Sequence, residues 1–458
     1  MNLSKQLIRP FVMAMAIVIA APVHAQQPPD VVNSDANDNT AMGSGALADL
    51  TTGENDTAAG AGALKVNTTG SNNTAVGAGA LQSDTSGIEN TAVGAGALQS
   101  STTASQDAAF GAGALSNDTT GTDNTALGAG ALLANIGGND NTALGFSALY
   151  NTTTGMENSA SGANALYSNT TGNRNNASGE GALYSNTTAN DNNAMGANAL
   201  HNNITGTLNN AMGNFAMEYN TTGNNNNAVG YGAMLHNTTG SDNSAQGYFS
   251  LENNTSGNLN IGVGYKAGVN LTTGSNNIDI GNAGVAAESG IIRIGTPGTQ
   301  SATFVAAISG TNISGGAAVV VSSTGQLGVV SSSRRYKEDV QPMGDVSERL
   351  YQLRPVKFRY IKPDDQGQKP VQFGLIAEEV AEVLPEVVYR NAEGNVDGVR
   401  YDGLAPLLLN EVQQLHKQVA AQAVQLAKMN SLEQQVAKLQ SLVATLSNQA
   451  KDERVAMR

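Results

Sequence analysis

The stretch NTAVGAGALQSDTSGIE, Asn73–Glu89, decides the fold because the chain keeps repeating it. From Gly43 through Gly60, Gly77 and Gly94 to Gly281, fifteen glycines stand in a strict seventeen-residue register. An Asn or Asp stands four residues before each one in the first coils (Asn39, Asp56, Asn73, Asn90), and Ala-Leu pairs such as Ala63-Leu64 follow. No insertion or deletion breaks the count over fourteen steps. Self-similarity at a fixed period marks a solenoid or fibre, in which each unit buries its face only against its neighbours. The repeat, residues 39–284, is therefore expected to be an all-β rod, and any chemistry is expected outside it.

Within one unit, a short alternating apolar stretch reads as strand and the second half as turn. Two short strands per coil are expected. The glycine of the "TTG" or "TSG" turns (Gly53, Gly70, Gly87) is expected to need positive φ. It is replaced by alanine at Ala104 and Ala189. One position is alanine in every unit from Ala41 to Ala245, as if only a small side chain fits. The next position varies from Met42, Val76 and Phe110 to Ser161 and Gln246, so it is expected to be less enclosed. Repeated asparagines can form a hydrogen-bonded ladder between coils. Fifteen coils at about 4.8 Å each give a rod of roughly 70 Å. A thin Gly/Ala solenoid buries little apolar area, so about three chains are expected to wind together.

Composition narrows the setting. Lys5 and Arg9 precede an apolar run from Phe11 to Pro22, and Val23-His24-Ala25 follows. Residues 1–25 thus read as a secretory signal, with a linker at 26–38. The apolar run is too short for a membrane span, so no transmembrane segment is expected in the mature chain. There is no cysteine and no tryptophan. Disulfides and an N-terminal lipidated cysteine are excluded. Residues 26–331 carry 20 acidic and 4 basic side chains, a net charge of −16, while 332–458 carry 17 of each. An acidic rod does not bind nucleic acid or anionic lipid through counterion release. An exported protein, at the cell surface or outside the cell, is expected.

The repeat, with its "N-x-A-x-G" coils, resembles the left-handed β-roll heads of trimeric autotransporter adhesins, although their coils are usually shorter. That family ends in a membrane β-barrel, whereas this chain ends in KDERVAMR, so self-anchoring is not expected.

Residues 285–331 read as a β-rich, Gly-punctuated shaft. Composition then changes abruptly, and 332–410 read as a small α+β domain. VSERLYQL (346–353) is expected to be helical. PVKFRYI (355–361) is expected to be a strand with Val356, Phe358 and Tyr360 on one face. VQFGLI follows as a strand, and AEEVAEVL as a short helix stopped by Pro385. NAEGN turns a hairpin, and Asp402 is expected to cap a final helix beginning near Leu404. Along that helix Val412, Leu415, Val419, Gln422, Leu426 and Met429 step by 3 and 4. After one extra 3-step the pattern resumes at Leu432. This is a coiled-coil seam over 404–450, with one polar member and a stammer.

SSRRYKEDV, LRPVKFRY, FGLIAEEVAEVLPEVV and VRYDGLAPLLLNEVQQL, followed by the coil, resemble the C-terminal intramolecular chaperone of phage endosialidases and tail fibres. The same self-cleaving module occurs in some membrane-bound transcription factors. The resemblance covers about 332–430. It implies that the domain trimerises the fibre ahead of it and then cuts itself off with a serine–lysine dyad. The family pattern S-D-x-R-x-K places Ser332 as nucleophile, Lys337 as general base and Arg335 at the family arginine, with Arg334 beside it. The cut would fall between Ser331 and Ser332. Ser333 stands where the family usually has Asp, and Glu378 where Gln is common. On this reading the enzyme is a single-turnover autocatalytic serine endopeptidase without other substrates.

Other chemistry is sparse. G-x-G pairs recur in every coil and read as structural. His24, His201, His236 and His416 lack metal-ligand company in the sequence, and no cofactor or metal is expected. Glu378-Glu379 and Asp364-Asp365 read as solvated groups. No aromatic cluster suited to sugars is visible. The function expected is an exported, homotrimeric, adhesin-like fibre. The alternatives are an uncleaved surface fibre with a permanent trimerisation tail, or a phage-derived fibre binding a host-surface or glycan ligand.

Overall fold

A computed structural model describes residues 33–457 except 307, 309–313, 323, 365 and 392. The expected signal segment, 1–25, lies outside the described residues. The chain divides into two units, one up to Thr303 and one from Phe304.

The first unit is a β-solenoid. Each coil contributes one three-residue strand, from Thr40–Met42 to Ile278–Ile280, at seventeen-residue intervals. Neighbouring strands pair parallel and in register, as Ala75 with Ala92 and Ala177 with Ala194. The pair of strands expected in each coil is thus a single strand; the remaining residues are turns that carry the chain back. Asn33–Ser34 pairs antiparallel with the first strand. The parallel stack continues to Ile292–Ile294, after a shorter return.

Strand alternation explains the invariant alanine. The middle residue of each strand faces inward and its two flanks face outward. Ala75, Ala92 and Ala126 are fully buried, while Val76 and Leu127 are half-exposed. The core is larger than a Gly/Ala solenoid would give. Leucines from Leu64 to Leu200, then Met217, Met234 and Leu251, form a fully buried column beside the alanines. Each takes a left-handed backbone, as Leu81 at φ 49°. That conformation costs about 1–2 kcal/mol per residue. Burying a leucine returns about 1.5–3 kcal/mol, so the column survives on burial.

Two interior ladders satisfy the backbone. Asn73 Nδ2 donates to the Gly87 carbonyl at 2.9 Å, and Asn73 Oδ1 accepts the Asn90 amide at 3.0 Å. The expected ladder is thus present. A second, unforeseen ladder starts the turns: Asn220 Nδ2 donates to Asn203 Oδ1 at 2.8 Å, and Asn237 Nδ2 to Asn220 Oδ1 at 2.8 Å. Threonine hydroxyls in these turns are also engaged, as Thr68 Oγ1 donating to the Thr85 carbonyl at 2.8 Å. Asn67 of the Asn67-Thr68-Thr69 sequon is fully buried, so the folded coil hides it.

The glycine roles also differ from expectation. Positive φ belongs to the Gly43 and Gly45 columns, not to Gly53, Gly70 and Gly87. A Cβ on Gly43 would lie 2.8 Å from the Gly60 carbonyl. In the turn column, a Cβ on Gly121 would lie 2.7 Å from the Gly138 carbonyl. There glycine serves close coil stacking rather than an unusual dihedral, and Ala104 and Ala189 are the two coils in which a methyl group is accommodated.

Aromatic residues that look scattered in sequence are brought together by the period. Tyr150, Tyr167, Tyr184 and His201 stack face to face at 5.0–5.2 Å. Tyr231, Tyr248 and Tyr265 stack at 5.4–5.7 Å. These rows were not read from the sequence. Burial on the first row lowers the pKa of His201.

In the second unit, β1 (Val356–Phe358) pairs antiparallel with β2 (Gln372–Gly374). Tyr360 falls beyond the strand, with its ring edge-on to Phe358 at 5.3 Å. Helix α1 (Ala377–Val383) ends before Pro385, and β3 (Val388–Arg390) pairs with β4 (Val396–Val399). The expected helix at 346–353 is a 3-10 helix over Gly344–Gln352. Helix α2 runs from Tyr401 to Ala456. It begins ahead of the expected Leu404, so Asp402 lies in its first turn and does not cap it. Val380, Leu384, Val387, Val388, Leu404 and Leu407 form the core. Among the described residues, no helix is long and apolar enough to cross a membrane.

Candidate functional site

Ser331 to Lys337 form a short exposed segment built around one turn. Arg334–Tyr336 is a single 3-10 turn, with the Tyr336 amide donating to the Ser333 carbonyl and Lys337 to that of Arg334, both at 3.1 Å. That turn folds the chain back far enough for Lys337 Nζ to donate to Ser332 Oγ at 3.1 Å. A hydroxyl in hydrogen-bond contact with an amine is the minimal nucleophile–base pair. Ser332, Lys337 and both arginines are exposed to solvent. Arg335 places its guanidinium 4.8 Å from the Tyr336 ring centroid, a stacking arrangement that holds the turn. Arg334 lies in the same turn. Ser331 and Ser333 flank Ser332 and do not share its contact with Lys337.

The comparisons bear on this same segment. Residues 332–389 match the family described as chaperone of endosialidase. The match starts at Ser332, so the serine–lysine contact sits at the edge of a chaperone-type domain that follows a β-solenoid. No curated protein and no solved structure matches the chain.

A carboxylate clamp ties the chaperone-type domain to helix α2. Glu411 is buried, its Oε1 accepting the Ser347 hydroxyl at 2.6 Å and its Oε2 the Tyr351 hydroxyl at 2.8 Å. Asn410 Nδ2 donates to the Gly344 carbonyl at 2.8 Å. The hydrogen bond to Glu411 raises the pKa of the Tyr351 phenol. Sequence reasoning missed this clamp, because its members lie 60 and 64 residues apart and no spacing rule links them. Glu379 pairs with Arg354. Beyond the clamp, α2 exposes its seam: Val412, Leu415, Val419, Leu426 and Met429 are 46–61% solvent-accessible. Among the described residues, no group of three or more His, Asp or Glu side chains is placed to hold a metal.

Proposed function

We propose that this chain is an exported fibre whose C-terminal region joins three copies and then releases itself by cutting between Ser331 and Ser332. The observation that carries the reading is the 3.1 Å contact of Lys337 Nζ with Ser332 Oγ at the first residue of the matched domain. In the proposed step, neutral Lys337 takes the Ser332 hydroxyl proton and Oγ attacks the Ser331 carbonyl carbon. The peptide C–N bond breaks, the Ser332 α-amine leaves with a proton, and an ester joins Ser331 to Ser332 Oγ. Water hydrolyses the ester, so one water is consumed per cut. A lysine serves as base only without its proton, and burial favours that form. In the single chain the pair is solvent-exposed; assembly would enclose it, so the cut would wait for the trimer. Loss of the chaperone would then trap the fibre kinetically.

Trimerisation rests on α2. The heptad seam is exposed among the described residues, and copies of the same helix are partners that would bury it. Replacing Leu426 with Asp places a charge at the seam. The expected result for Leu426→Asp is loss of the oligomer in native mass spectrometry, where the wild type gives three chains. A trimer that persists would remove α2 from assembly. A second reading, a permanent uncleaved tail, is favoured by Ser333 at the position of the family's usual Asp. The role of the fibre itself is adhesion or surface display.

A further inference from the structure

The solenoid is acidic, yet its charge is not spread evenly around the coil. Both outward-facing positions of the strands carry no charged residue from Thr40 to Ile280. One of the two columns is apolar and half-exposed: Val76, Phe110, Leu127, Leu144, Met195 and Val229 are 38–53% accessible. Two residues further on, Ala61, Ala78, Ala95, Ala112 and Ala129 make a second exposed column of small side chains in the first coils, which turns aromatic at Phe146 and again at Tyr231, Tyr248 and Tyr265. The exposed carboxylates, such as Glu89, Asp123, Asp140 and Asp242, stand in the turns.

The stripe is interrupted in its middle and again at Gln246. In the middle, Ser161 and Ser178 replace the apolar residue, and Glu180 introduces the single charge of the neighbouring column. Up to Gln246 the apolar face is therefore two patches, Val76–Leu144 and Met195–Val229, separated by a polar waist.

Contiguous exposed apolar surface marks an interaction site. Its occupant follows from charge and apolarity together. Copies of this acidic rod repel one another wherever the Glu89, Asp123 and Asp140 column meets its like. The strand face is uncharged, as is the Thr68-Thr69 turn face, but of the two the strand face carries the apolar stripe that a copy would cover. The alanines from Ala61 to Ala129 let backbones come near at the first patch, and the seventeen-residue register gives every copy the same rows at the same heights. We infer that the strand face of the solenoid is the surface on which copies of this chain meet, turned toward a shared axis, with contact concentrated in the two apolar patches. This rests on the trimeric reading proposed above and adds which face is inward.

The absence of cysteine makes the test direct. Val76→Cys and Val229→Cys introduce a near-isosteric thiol on the strand face. Ile136→Cys and Ile204→Cys do so at turn residues of similar exposure, 50% and 45%. Native mass of the unaltered full chain is read alongside. A trimer in which the strand-face variants give covalent dimers at least about tenfold more than the turn variants under mild oxidation, as proximity on an axis demands, is the expected result. A trimer that cross-links equally, or only through the turns, overturns the inference and leaves the trimeric reading intact. A monomer overturns both. Val93→Cys serves as a second probe if Val76→Cys does not fold.

Discussion

The carboxylates at Asp84, Asp107 and Asp118 stand in ladders where most coils place asparagine. All three are fully or almost fully buried, and each keeps an oxygen without a hydrogen-bond partner. Burial pushes the Asp84 carboxyl up to about 7, helped by the charge of Asp56 in the ladder beside it. Burial and the facing Asp118 push Asp107 up in the same way. A carboxyl whose folded pKa lies above its unfolded value stabilises the fold fully below about pH 4. That contribution is lost as pH rises through the folded pKa, here from about 4 to 7 for Asp84. A rise of about three pKa units is worth roughly 4 kcal/mol. Asp84→Asn should therefore raise the melting temperature at pH 8 and change it little at pH 4, measured by thermal denaturation at both values. Equal shifts at both values would mean the carboxyl is not held protonated. The ladder itself was legible from the repeated Asn39, Asp56 and Asn73. That it is interior, and that a neighbouring ladder through Asn67 and Asp84 faces it, was not, because sequence spacing carries no inside and outside for turn residues.

At the scale of elements, the strand was read correctly where alternation is unambiguous, with alanine inside and Val76 or Leu127 outside. The expectation of a thin Gly/Ala solenoid with little apolar area missed the leucines, and only the closed coil shows Leu64 to Leu200 as the core. The hairpin around NAEGN and the short helix before Pro385 were legible from turn chemistry. The 3-10 helix Gly344–Gln352 was not, since its backbone is set by contact with α2 rather than by local propensity. That contact has a measurable consequence. Glu411→Ala leaves the Ser347 and Tyr351 hydroxyls without their acceptor and should destabilise the domain by about 1–3 kcal/mol in urea unfolding. Glu411→Gln keeps one acceptor and should cost less. Equal stability in wild type and Glu411→Ala would show that the clamp does not hold α2 to the domain.

For the molecule as a whole, a repetitive body is followed by a C-terminal chaperone-type domain. The body stacks from rungs of one register; the domain carries the serine–lysine contact and the helix seam. The family resemblance, not the spacing itself, pointed to Ser332 and Lys337, and the 3-10 turn at Arg334–Tyr336 explains how five residues of spacing become 3.1 Å. The most direct test is the intact mass of purified protein under denaturing conditions, wild type beside Ser332→Ala. Self-cleavage predicts two fragments in wild type, the second beginning at Ser332, and one chain in the variant. A single uncut chain in both, or the same two fragments in both, would contradict cleavage by Ser332.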